Sequence, residues 1–287
     1  MLPTITVANI NIELYNFFNV FSWFVMYAFN LFQWEKKQRL LFIGSKLICK
    51  LVDVKTQHNE KIMKICVVLL IIAETGGLTA LQYFPGIAIN GALGDAFVNG
   101  ISTYYGTLFF APLIFMIGCA LIGIPSLKQL DIFMPGYPVA LIFMKLSCYC
   151  AGCCYGFEFE HGIYNTLTHK IEFPVQLLEC GIALILFLIL FFYEKKKHPE
   201  GTVYPLYVFL YCLTSFGVSF LRKDVSPILG ILNVYHIFCL IGIVLAIAEF
   251  FIFAKLLPKI KWLQNGVDYV KIFNKFKKTP TDTPQNS

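Results

Sequence analysis

This sequence is short of charge. Of its 287 residues only 14% are Asp, Glu, Lys or Arg, whereas 57% are hydrophobic and the mean hydropathy is +0.69. Soluble domains carry roughly a quarter charged residues because their surface faces water, so a water-facing globular exterior is excluded. Also missing are an internal repeat, a glycine-rich phosphate loop, a nucleophile elbow and a zinc-protease motif, which removes the classes those features define. No basic stripe with interleaved aromatics is present. The net charge of +6 is therefore expected to belong to a face beside anionic lipid. The lipid bilayer is the expected partner, and nucleic acid is not.

What is present is a series of apolar blocks long enough to cross a bilayer, for which roughly 20 residues suffice. Residues 14–34, 103–124 and 203–221 contain no charged side chain. Three more blocks carry isolated carboxylates: 65–84 with Glu74, 173–193 with Glu179 and 234–254 with Glu249. A seventh, 132–156, is interrupted by Pro135, Gly136 and Pro138 near its start and by Lys145 in its middle, and is expected to be broken or partly re-entrant. The expected fold is an all-α integral membrane protein of about seven transmembrane helices.

Positively charged loops stay in the cytoplasm. Residues 35–64, Lys128, residues 195–197 and residues 255–278 together hold 19 of the 23 Lys and Arg residues, and all four regions fall on one side of a seven-span topology. This places the N-terminus outside and the C-terminus in the cytoplasm. The first block has its basic residues after it and no small-residue cleavage site, so it is expected to remain as an anchor and not to be cleaved as a signal peptide. Residues 40–54 and 267–278 mix apolar side chains with lysines and would lie flat on the inner leaflet. A single polytopic domain is expected over 1–264, followed by a basic amphipathic segment and polar tail over 265–287.

Chemistry is expected where polar groups enter the membrane, because an ionisable side chain there costs roughly 2.5 to 3.5 kcal/mol on insertion scales. Lys145 opens a run in which Cys148, Cys150, Gly152, Cys153, Cys154, Tyr155 and Gly156 replace the usual Leu and Ile. The four-residue spacing of Gly152 and Gly156 suits a close approach by a helix or a lipid headgroup. Four cysteines invite a metal reading, but adjacent Cys153 and Cys154 have poor geometry for one ion and no second CxxC pair exists, so no metal is expected. A disulfide and simple packing between helices are the other two readings of these thiols.

The run from Lys145 to Gly156 resembles the signature of the bacterial prolipoprotein diacylglyceryl transferases. Divergent members read Arg-x-Gly-Cys-Phe-x-x-Gly-Cys-Cys-Tyr-Gly, and Cys148, Gly152, Cys153, Cys154, Tyr155 and Gly156 fall in register, with Lys145 at the arginine position. Pro174, Gln176, Leu177 and Glu179 are similar to the family's His-Pro-x-Gln-Leu-Tyr-Glu, and Phe216, Phe220 and Arg222 fit a third motif. The chain departs from the pattern in three places. Residues 102–107 contain no histidine where the family has His-Gly-Gly, Ser215 and Ser219 replace an arginine and a glutamate, and Lys145 replaces an arginine.

The resemblance implies a transfer of diacylglyceryl from phosphatidylglycerol to the thiol of a prolipoprotein lipobox cysteine in the bacterial plasma (inner) membrane, releasing glycerol phosphate and using no cofactor. A phosphate leaving group needs cationic donors, and Lys145 and Arg222 are the expected pair. Glu179 is expected to pair with a cation or act as a base. Tyr105, His161, His169 or His236 would replace the missing acid–base group. Gly152, Cys153, Tyr155, Gly156 and Gln176 are expected on the substrate-binding side. The alternative is a catalytically altered relative that keeps the lipid cavity and binds lipid as an accessory membrane protein. A transporter is disfavoured by the single charged residue in most helices and the lack of repeated halves.

Overall fold

A computed structural model describes residues 4–7, 10–44, 102–121, 126–224, 227 and 230–260. It is mostly helical: α1 (Leu14–Gly44), α2 (Ser102–Leu121), α3 (Ser126–Phe133), α4 (Gly136–Ala151), α5 (Val175–Lys195), α6 (Val203–Val218) and α7 (Val234–Lys255). The expected span at 65–84, the segment 267–278, most of 40–54 and the boundary at 265 lie outside the described residues.

Among the described residues, three helical stretches are long and apolar enough to cross a membrane: Ser126–Ala151, Val175–Lys195 and Val234–Lys255. Leu108–Leu121 and Val203–Val218 are shorter apolar helices. The chain buries one set of apolar side chains, including Leu108, Phe115, Leu130, Phe133, Tyr204 and Tyr207, and turns another outward, including Val20, Phe24, Ile185, Phe192 and Val244. A soluble surface does not carry so continuous an apolar coat, whereas lipid tails solvate it without penalty.

The expected break near residue 135 is there. Pro135 lacks an N–H and stands at the N-cap of α4, so a short turn at 134–135 separates α3 from α4. Below it, Asp131 of α3 is buried and accepts hydrogen bonds from the backbone N–H groups of Gly201 at 2.6 Å and Val203 at 3.0 Å. One carboxylate thus satisfies donors that the start of α6 would otherwise leave orphaned. His198 Nδ1 lies 3.8 Å from the same carboxylate.

Two findings differ from the all-α expectation. Thr4–Val7 (β1) pairs antiparallel with Ile10–Glu13 (β2), and Glu158–Asn165 (β3) with Lys170–Glu172 (β4). The second hairpin is closed by its own polar residues. Glu172 accepts from Asn165 Nδ2 at 2.8 Å and from Thr168 Oγ1 at 2.8 Å, and Asn165 also donates to the Gly152 carbonyl at 2.9 Å. The hairpin is thereby fastened to the end of α4. The block expected at 203–221 also stops early. The helix ends at Val218, and residues 219–221 form a turn that delivers Arg222 to an antiparallel bridge with Gly156.

The starts of α1, α2, α5 and α7 and the ends of α4 and α6 converge at one end of the bundle, where they line a common cavity.

Candidate active site

The cavity has a volume of about 470 Å³. Lys145 and Cys148 enter it from the last turns of α4, Glu179 from the start of α5, and Tyr104 and Tyr105 from the start of α2. Ser215 and Ser219 line it from the end of α6, Arg222 and Asp224 from the segment that follows, and Tyr235 from the start of α7.

Lys145 Nζ donates to Glu179 Oε1 at 2.7 Å, with side-chain exposures of 13% and 11%. The pair joins α4 to α5 across 34 residues of sequence. Removing one partner of such a pair strands the other. The second oxygen, Glu179 Oε2, is buried with no hydrogen-bond partner among the described residues, so it is an acceptor facing an unfilled requirement.

Arg222 makes a two-pronged pair with Asp224: Nε donates to Oδ1 at 2.9 Å and Nη2 donates to Oδ2. Nη2 also donates to the Tyr235 hydroxyl at 3.2 Å, and the guanidinium lies 4.3 Å from the Tyr235 ring centre. Burial acts to lower the Arg222 pKa, but the Asp224 carboxylate outweighs it and the net direction is upward, so the guanidinium remains charged. The planar fork of arginine suits this bidentate grip, which lysine could not reproduce.

Six expected site residues line the cavity: Lys145, Arg222, Glu179, Tyr105, Tyr155 and Cys153. Tyr105 is buried, and its hydroxyl shares a hydrogen bond with Cys239 Sγ at 3.3 Å. Gly152, Gly156 and Gln176 stand behind the cavity as its frame. Gly152 closes α4 in the left-handed region, φ 79°, where a side chain would be strained. Its N–H donates to the Cys148 carbonyl at 3.0 Å. Gly156 has no room for a side chain, since a Cβ there would lie 2.7 Å from the Phe173 carbonyl oxygen and from Val175 Cγ2. The buried Gln176 donates from Nε2 to the Cys153 carbonyl at 2.6 Å. These three residues hold the cysteine loop in place for Arg222 to dock against.

The three histidines expected as substitutes, His161, His169 and His236, do not line the cavity. His161 and His169 are exposed on the β3–β4 hairpin, and His236 is buried as the partner of Asn233 in the capping box of α7. The sequence reading missed Asp224, Tyr235, Tyr15 and Asn19, all of which line the cavity. Asp224 had a signal, an acid two residues from an assigned arginine. Tyr15 and Asn19 lie at the start of an otherwise apolar helix and had none.

Residues 4–252 match the family described as prolipoprotein diacylglyceryl transferase. Among curated proteins, the chain is 28% identical over 165 residues to the phosphatidylglycerol–prolipoprotein diacylglyceryl transferase of Clostridium tetani, covering 55% of this chain and 64% of the relative. It is 31% identical over 126 residues to transferase 2 of Clostridium perfringens, covering 40% of this chain and 49% of that protein. It is 42% identical over 82 residues to the transferase of Clostridium kluyveri, covering 29% and 31%. The matched stretches thus span about half to two thirds of the first two relatives' length.

Proposed function

This chain belongs to the prolipoprotein diacylglyceryl transferase family, and on that premise we propose that it is a membrane transferase of lipoprotein biosynthesis that takes diacylglyceryl from phosphatidylglycerol and places it on a lipobox cysteine thiol. The observation that carries this reading is the convergence of two cations, each held by a carboxylate, on one cavity: Lys145 with Glu179 and Arg222 with Asp224.

The chemistry follows from the charges. The thiol sulfur forms a bond to the glyceryl carbon as the bond from that carbon to the phosphate oxygen breaks, and glycerol phosphate leaves. Negative charge grows on the departing phosphate, where Lys145 and Arg222 supply donors in a site of low dielectric. The thiol must lose its proton, because thiolate is the nucleophile. Glu179 Oε2, buried and without a partner among the described residues, is assigned that proton, with the Tyr105 hydroxyl beside the reacting groups. Tyr155 and Cys153 face the headgroup, while Gly152, Gly156 and Gln176 support the loop that carries them.

We also assign seven spans, a plasma-membrane location, an external N-terminus and a cytoplasmic C-terminus, on the strength of the Lys and Arg distribution. In that orientation the cavity opens in the outer half of the bilayer. The single membrane domain is assigned to 1–264 and the cytoplasmic tail to 265–287.

The test is to incubate the purified protein in detergent with phosphatidylglycerol and a lipobox peptide and to search by mass spectrometry for diacylglyceryl on the peptide cysteine. The adduct is the expected result. Its absence, with a proven family enzyme active in parallel, overturns the transferase reading in favour of a lipid-binding relative.

A further inference from the structure

Cys148, Cys153 and Cys154 bring three sulfurs together at the cavity wall, all within 4.8 Å of one another. Two neighbours in sequence ordinarily point apart, and that argued against a shared ligand when only spacing was known. The backbone removes the objection. Cys154 adopts φ 58°, the left-handed region that side chains other than glycine rarely occupy, and with this turn its sulfur lies within 4.8 Å of that of Cys153. Gly152, also left-handed at φ 79°, reverses the chain so that both face Cys148 on the last turn of α4. Strain at a non-glycine residue persists when the surroundings enforce it, and it clusters at functional sites.

We propose that Cys148, Cys153 and Cys154 form a binding site for one divalent ion of the zinc class, with its fourth position open to the cavity. Zinc bonds to thiolate at about 2.3 Å, so tetrahedral sulfurs sit about 3.8 Å apart. The sulfurs, all within 4.8 Å of one another, would draw together by no more than about 1 Å. Three protein ligands with an open fourth position are the arrangement of a reactive ion, whereas structural zinc is closed by four. Three thiolates around a divalent ion leave one net negative charge, beside the cations Lys145 and Arg222 that line the same cavity. Cys150 lies on the same stretch of α4 but is not part of the cluster, so it serves as an internal control.

The test reads ion binding alone and stands apart from the transferase reading. The full-length protein, purified in detergent and reduced under anaerobic conditions, is titrated with cadmium. Its thiolate-to-metal absorption is followed, and bound metal is counted by elemental analysis after gel filtration. One ion per chain is expected. Cys148→Ser and Cys153→Ser should each weaken binding at least tenfold, and Cys150→Ser should leave it unchanged. Cys154→Gly is the decisive variant. Glycine suits φ 58°, so the protein should be at least as stable as before while losing the ion to the same degree. Three results would overturn the site: no retained metal in a protein whose thiols titrate as reduced, an unchanged band in Cys154→Gly, or a cluster disulfide that survives reduction.

Discussion

The two ends of this helical bundle treat buried charge in opposite ways. At one end Asp131 is sealed against the start of α6, where the N–H groups of Gly201 and Val203 fill its two oxygens. At the other end Glu179 and Asp224 hold Lys145 and Arg222 against the wall of a cavity, and Glu179 keeps one oxygen without a partner among the described residues. Both ends carry carboxylates that membrane burial makes costly. The first spends its charge on architecture. The second is charged, partnered and still accessible, as a site must be to accept a phosphate and then release it.

The comparison breaks first at the cations. Arg222→Gln and Lys145→Gln keep a hydrogen-bond donor for Asp224 and Glu179 but remove the positive charge. Each should slow peptide modification by about 100-fold, the scale of losing one donor to a developing anion, with the protein still in the membrane. Asp131→Ala probes the opposite end. It should lower stability by about 2 kcal/mol, as expected for stripping a cap and leaving buried donors unpaired. A lowered melting temperature with normal activity per folded molecule would uphold the contrast. Gly156→Ala should cost about tenfold in activity, because a methyl group pushes on the Phe173 carbonyl and shifts the bridge that seats Arg222. The smallest effect belongs to Gly152→Ala, for which left-handed backbone costs about 1 kcal/mol of stability. Thermal unfolding in detergent, beside the peptide assay, separates these four outcomes.

The described helices were legible because membrane helices need long apolar blocks, and the turn at Pro135 because proline removes a donor. The β3–β4 hairpin was not, because its closure depends on Asn165 reaching both Glu172 and the distant Gly152 carbonyl. Lys145, Glu179 and Arg222 stood out as ionisable side chains in or beside apolar segments. Gly152 and Gly156 also stood out, but as points of close approach for a helix or a lipid headgroup, whereas in the structure they shape the backbone. Asp131 was passed over although it is buried, since nothing in its local sequence points to backbone 70 residues away. The gathering of Cys148 with Cys153 and Cys154 was hidden too, because it hangs on one torsion angle at Cys154.

The central claim is that the phosphate departs between Lys145 and Arg222. The most direct measurement counts glycerol phosphate released against peptide modified, in the wild-type protein and in Arg222→Gln. One glycerol phosphate per modified peptide is expected for the wild type and almost none of either product for the variant. Peptide modification without glycerol phosphate, or equal release from both proteins, would contradict it.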